Sequence, residues 1–292
     1  MYELIQAGER TWYIECPAKI GIFDAGGGEV CLIDTGNDGD AAKKALRILN
    51  ERGWRLRAVF NTHAHVDHIG GNNYLQSRTG CPVYAPPLER FFAEQPGIGV
   101  SILFGATVPK ELHNKFFVAK GSDVLPFSPE AFPEGLEPIP LPGHSHDMYG
   151  FRTSDGVVFL ADSLVSAATL EKYQVSFVFN VGVYLETLER IKAMSAPLFI
   201  PSHAETAEDV VPLAQMNIDK AFEIADVIAE SCAGGAVFDD VLKALFDRYS
   251  LRMSLQQYVL VGCTARSYLS WLRDTGRVEI VPDGDRLLWR AI

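Results

Sequence analysis

Four strong metal donors, His63, His65, Asp67 and His68, fall within six residues of the stretch Phe60-Asn61-Thr62-His63-Ala64-His65-Val66-Asp67-His68-Ile69-Gly70-Gly71. Imidazole suits zinc, iron, copper or nickel, and a neighbouring carboxylate hardens a site towards zinc, iron or manganese. Side chains of an extended segment alternate with a period of two, so His63 and His65 project to one side and can hold one ion together. Asp67 and His68 follow as the chain turns and suit a second ion nearby. That spacing matches two-metal catalysis better than it matches a polar surface loop.

The elements around these donors must hold them rigidly. Residues 56–60 read as a short buried strand and Gly70-Gly71 as a turn or a tight helix-packing point, which puts the donors on a loop at a strand end. Upstream, residues 11–15 alternate, 20–23 are short and apolar, Gly26-Gly27-Gly28 is a turn, and 30–33 form an apolar run ending at Asp34-Thr35-Gly36. Residues 41–52 form an amphipathic helix with Ala42, Ala45, Leu46 and Leu49 on one face and Gly53 closing it. A short helix over 72–79 and a strand over 82–85 follow, a β–α–β alternation that packs helices on a sheet. Farther on, Pro142-Gly143 forces a turn that presents His144. Asp155-Gly156 is a hairpin turn signal between strands at 149–152 and 157–160. The second of these runs into Asp162, a carboxylate with no core role at a strand end. Residues 196–202 give another buried strand, ending on His203.

The segment 63–68 resembles the H-x-H-x-D-H signature of the metallo-β-lactamase-fold hydrolases, a superfamily that includes glyoxalase II, lactonases and several nucleases. The later strand ends deliver donors in that family's order, and the resemblance covers about residues 11–205. It implies an α/β fold, an αββα sandwich. It also implies that His63, His65 and His144 hold one metal, that Asp67, His68 and His203 hold a second, and that Asp162 bridges both. On its residues alone, Asp34 before Gly36 is turn chemistry. The resemblance implies that this I-D-T-G aspartate lies beneath the metal loop and orients ligands. His146 stands where the family more often has a small or turn residue and is expected to be exposed. His113, with no donor near it in sequence, is not expected to be a ligand.

Length and composition are those of a folded protein with a substantial core, 48% hydrophobic and 22% charged over 292 residues, enough for one large domain and an appendage. A net charge of −11 argues against general binding to nucleic-acid backbones. The first six residues lack the basic start and apolar run of a signal peptide, and no stretch approaches the roughly 20 apolar residues of a membrane span. Five scattered cysteines without a C-x-x-C pair fit a reducing cytosol, so a cytoplasmic location is expected.

The expected division is a catalytic domain over 1–205 and a helical region over 206–292. Within the first, residues 86–135 are rich in Pro, Gly and Phe and read as a lid insertion or a minor core of their own. Helices are expected over 206–231, 237–249 and 255–273, followed by strands at 277–281 and 286–290, an order that resembles a winged helix. From Ala236 onward eight Lys and Arg stand against seven Asp and Glu, too balanced for a strong phosphate-binding face. Closing the active site, packing on the main domain or forming a homodimer is the expected role.

The chemistry implied is metal-assisted hydrolysis by two divalent ions, zinc first, with iron or manganese as alternatives. A bridging solvent would have its pKa drawn from 15.7 in bulk water towards roughly 7 and attack a carbonyl or phosphoryl centre. Asp67 would also orient it. The substrate expected is a small molecule, a thioester as in the glyoxalase II branch. No basic glutathione-gripping residues align in the C-terminal region, so a lactone or phosphodiester stays open. The Asp162 bridge departs from true β-lactamases, and Asp162 and His203 are too close for the insertion of RNA-processing members. Two other classes are weighed: a one-iron oxidoreductase resembling the persulfide dioxygenases, and a non-catalytic binder, against which seven intact donors argue. Tyr173, Phe177 and Tyr184 are candidates to touch substrate or to fill the core.

Overall fold

Alternation inside short apolar runs decides how many layers this chain makes. Val30 and Leu32 join one buried cluster, Cys31 and Ile33 another. Farther on, Val158 and Leu160 join a third cluster while Val157 and Phe159 join the second. Successive side chains of a strand point to opposite faces, so these strands lie in sheets buried on both sides and read as unbroken apolar runs. The middle cluster, with Phe23, Phe60, Phe151 and Ile200, lies between the two sheets. Helices cover the outer two. The result is the expected αββα sandwich.

The structure is a computed structural model that describes residues 2–292. One sheet has seven strands in chain order: β1 (Glu3–Gln6), β2 (Thr11–Glu15), β3 (Ile20–Gly26), β4 (Glu29–Ile33), β5 (Arg55–Phe60), β6 (Val83–Ala85) and β7 (Val124–Pro126). Strands β1 to β4 pair antiparallel, and β4 to β7 pair parallel. Parallel neighbours need crossovers. These are α1 (Gly39–Glu51), then α2 (Val66–Ile69) with α3 (Asn72–Thr79), then α4 (Pro87–Glu94) with α5 (Pro96–Phe104). The second sheet uses β8 (Leu136–Pro140), β9 (Tyr149–Thr153), β10 (Val158–Val165) and β11 (Phe199–His203) in the order β11-β10-β9-β8. Between β10 and β11 run α6 (Ala167–Tyr173) and α7 (Val181–Lys192).

Local chemistry explains the crossover that precedes the donors. The Asp38 carboxylate accepts from the amides of Asp40 and Ala41 and caps α1. Ala41, Ala42, Ala45, Ile48 and Leu49 then form its buried face. Gly70-Gly71 is the packing point foreseen. A Cβ on Gly70 would collide with the Asn37 carbonyl, and one on Gly71 would stand 2.6 Å from the Ala42 methyl. Only glycine lets the chain leaving the donors pass this close beneath α1.

Beyond β11 come α8 (Val211–Ser231), α9 (Phe238–Arg248), α10 (Leu255–Asp274) and the hairpin β12 (Val278–Asp283) with β13 (Arg286–Ala291). The first of these helices starts five residues later than expected, where Pro212 takes an early helical position whose amide needs no partner. The core does not stop at the expected division near residue 205. Leu141 and Leu160 beside the second sheet belong to one cluster with Ile224, Leu245 and Leu269 of the C-terminal helices. Residues 86–135 hold α4, α5, a 3-10 turn over Lys110–Leu112 and the edge strand β7. Val100, Val108, Leu112 and Phe117 pack as a small cluster against Val259 of α10, while Phe127 and Phe132 pack on the inter-sheet cluster. Among the described residues no helix is long and apolar enough to cross a membrane.

Candidate metal centre

The donors come from four places on the two sheets. Strand β5 ends at Phe60 and the chain runs extended through His63 to His65. The next residues are helical, not loop: Asp67 and His68 lie in the single turn of α2, with His65 at its N-cap. His144 follows the Pro142-Gly143 turn after β8. Gly143 has φ +121°, and a side chain there would strike the Tyr184 backbone. His203 ends β11.

Asp162 is the exception to the strand-end pattern. It lies inside β10, which continues to Val165, and not at the strand's end as expected. The pairing of β10 with β11 shifts register on both sides of Ala161, and Ala161 has φ +49°. A bulge with a residue in the left-handed region re-aims the next side chain out of the pleat. The carboxylate is thereby turned into the site from mid-strand. Asp34, at the end of β4, is also left-handed, with φ +64°. Such conformations cost of order 1–3 kcal/mol each and cluster at functional sites.

Two four-donor groups result. His63, His65, His144 and Asp162 form one and Asp67, His68, Asp162 and His203 the other, with the donor atoms of each within 4.8 Å of one another. His65 Nδ1 stands 3.0 Å from both His63 Nε2 and His144 Nε2. His203 Nε2 lies 3.1 Å from Asp67 Oδ2 and 3.2 Å from Asp162 Oδ2. With zinc–nitrogen bonds near 2.0–2.1 Å, tetrahedral ligands sit about 3.3 Å apart, so both groups are close to that size.

The opposite nitrogens set which atoms point inward. His144 Nδ1 is 3.0 Å from the Phe177 carbonyl and His203 Nδ1 is 2.9 Å from the Pro17 carbonyl. His68 Nδ1 is 2.7 Å from Asp34 Oδ2. All three partners only accept, so Nδ1 must carry the proton. The Thr62 hydroxyl donates to Asp34 Oδ2 at 2.8 Å and is 3.0 Å from His63 Nδ1, which must then donate to it. Asp34 also accepts from the Thr62 amide. Four rings therefore present Nε2 to the centre. One Nδ1 proton on His65 could satisfy only one of the two nitrogens facing it. His68 Nε2 and Asp162 Oδ1, both buried, face each other at 3.0 Å without a hydrogen bond. A cation fits this arrangement.

Charge divides the cluster. Burial, then the neighbouring imidazoles His68 and His65, hold His63 well below the ordinary histidine range. Burial lowers His65 and also His144, to about 4. Around His68, burial opposes the charged form but Asp162, Asp34 and Asp67 outweigh it and push the group well up. His203 rises to about 10, as Asp162 and Asp67 overcome its burial.

Other expected residues separate. Phe177 stands edge-on to His65 and His144, with ring centres 5.3 and 5.7 Å away. Tyr184 is core and Tyr173 is 48% exposed. His146 is not the exposed residue expected. Its ring packs 3.7 Å from that of Phe179, and Phe92 lies 5.2 Å away, because the turn carrying His144 folds it against both. His113 is in neither donor group. Two supports went unforeseen. Thr62 sits inside the N-T-H run, which could have signalled it. Glu89, 2% exposed, lies in the stretch that reads as a lid insertion or minor core, and no local pattern marks it.

Comparison with known proteins places the chain in a family. The sequence model of the metallo-beta-lactamase superfamily matches residues 14–203. A hydroxyacylglutathione hydrolase from Methylococcus capsulatus is 38% identical over 177 residues, 60% of this chain and 57% of that protein. One from Erythrobacter litoralis is 37% identical over 175 residues, 59% and 57% of the two chains. The match thus spans little more than half the length of these relatives. In fold, a beta-lactamase domain protein from Burkholderia ambifaria has a TM-score of 0.76 at 17% identity, covering 99% of this chain and 94% of that one. A metallo-beta-lactamase family protein from Thermus thermophilus has a TM-score of 0.72 at 18% identity, covering 99% and 98%. Donor order, layering and these matches converge: the chain belongs to the metallo-beta-lactamase superfamily.

Proposed function

We propose that the protein is a metal-dependent hydrolase with two divalent ions, acting on a small thioester or related ester. The observation that carries this reading is the pair of four-donor groups sharing Asp162. His63, His65 and His144 would hold one ion, Asp67, His68 and His203 the other, and the Asp162 carboxylate both. Bound there, divalent ions would supply a water of lowered pKa and a Lewis acid for the oxygen that becomes negative.

The chain's own residues supply the rest. Thr62, Asp34 and the carbonyls of Phe177 and Pro17 hold the protons on Nδ1 and keep Nε2 inward. Asp67, with its side chain 40% exposed, stands at the open side and can orient the attacking water. Phe177 walls the other side, edge-on to the partly exposed His65 and His144 rings. No serine or cysteine nucleophile is called for. The thioester is favoured because relatives at 37–38% identity are named hydroxyacylglutathione hydrolases. A single-iron oxidoreductase would use the first group alone and leave Asp67 and His203 without a role.

The test is elemental analysis of protein purified without added metal or chelator, followed by hydrolysis assays on thioesters, lactones and phosphodiesters. About two metals per chain with thioester turnover is expected. One iron with oxygen uptake, or no metal before and after reconstitution, overturns the reading.

A further inference from the structure

We propose that Glu89 is a positioning residue that sets the geometry of the first donor group and not the second. The inference rests on the metal-centre reading above. Glu89 lies in the first turn of α4, where an acid is ordinarily a solvent-facing complement to the helix dipole. Here it points inward and is 2% exposed. No lysine or arginine pairs with it among the described residues; three hydrogen-bond donors satisfy it instead.

The identity of those donors carries the argument. Glu89 Oε2 accepts from the Ala64 amide at 2.9 Å, between His63 and His65. Oε1 accepts from the Ser145 hydroxyl at 2.7 Å and the Asp147 amide at 3.0 Å, just beyond His144. One carboxylate thus holds the backbone beside all three imidazoles of the first group, on two segments about 80 residues apart in sequence. The other direct backbone tie between the segments, Tyr149 N to Thr62 O at 3.0 Å, lies farther back, towards the sheets. A longer contact, Leu88 N to Asp147 Oδ2 at 3.5 Å, adds to the same seam.

His65 Nδ1 faces both His63 Nε2 and His144 Nε2 at 3.0 Å, and a proton there could bond to only one of them, so the rings do not by themselves tie the two segments together. Something must keep the segments together until an ion arrives, and an acceptor-only group bound to both does so. The second group has other supports: Asp34 on His68 and the Pro17 carbonyl on His203. Loss of Glu89 should therefore divide the two metals, whereas loss of a merely structural acid would weaken both together.

The experiment uses the full chain, stripped by chelator and titrated with cobalt(II) against a competing chelator, reading optical spectra for each site. His63→Ala and His203→Ala identify which signal belongs to which group. Glu89→Gln keeps the size, but its amide oxygen can accept from one segment while its NH₂ faces a donor on the other. The expected result is a first-group affinity lower by about 10–100-fold with the second unchanged. Ser145→Ala, which removes one of the three bonds, should show a smaller loss at the same group. If Glu89→Ala fails to fold, the glutamine variant carries the test. Wild-type affinity at both groups in Glu89→Gln, or an equal loss at both, overturns the inference and leaves the metal centre standing. A wild-type chain that takes up no cobalt overturns both.

Discussion

The two halves of the donor cluster share Asp162 and both draw donors from the segment that follows β5, yet they manage charge in opposite ways. Around His63, His65 and His144, burial keeps the rings neutral. Around His68 and His203, carboxylates outweigh burial and keep protons on the rings. An ion entering the first half meets free lone pairs, while one entering the second must displace protons. One shared carboxylate thus serves a preformed half and a proton-held half.

The change that should break this comparison most severely is Asp162→Ala, which removes a donor from both halves. At least one metal should be lost and turnover should fall more than about a thousandfold, since enzymes of this kind supply accelerations of about a millionfold or more. Elemental analysis with unchanged stoichiometry would refute the sharing. His63→Ala and His203→Ala should each strip their own half, abolish activity and leave about one metal per chain. Full activity in His63→Ala would sink its assignment.

The contrast in protonation predicts a contrast in pH dependence. As pH falls from 9 to 6, the second half loses affinity by up to about 100-fold per unit if both rings must release protons, while the first half, whose three rings are all lowered, changes far less over the same range. Cobalt titrations at several pH values check this, and parallel slopes would contradict it. The sign follows from the shifts: His203, raised to about 10, stays protonated as pH falls and excludes the ion, whereas His144, lowered to about 4, remains free to bind it.

Smaller changes sharpen the picture. Asp34→Asn keeps a residue that tolerates φ +64° but removes the charge facing His68 and Thr62. Affinity should fall about 10–100-fold, more at the second half, which Asp34 touches directly. His146→Ala should leave metal content unchanged and cost about 1 kcal/mol of stability from the lost stack on Phe179. A lost metal would give His146 a role at the site.

Much of this was readable before any coordinates. The apolar runs at 30–33 and 157–160 mark strands, and Gly70-Gly71 marks a turn or a tight packing point, because these signals are local. Other features were not. Ala161 gives no hint of a left-handed backbone, so the residue types alone put Asp162 at a strand end and not in a mid-strand bulge. His146 read as exposed because the Phe92 and Phe179 rings that cover it come from distant segments.

The sequence by itself determined the kinds of donor, their order along the chain and the layered sandwich that carries them. Periodicity, turn residues and donor spacing act over a few residues and leave their mark in the residue types. Tertiary structure alone decided that donors at 63–68, 144, 162 and 203 meet within a few ångströms. It also decided which nitrogen each ring turns inward, and that a buried acid at position 89 holds two of the segments together. These depend on long-range packing and on backbone conformations that no single residue type requires.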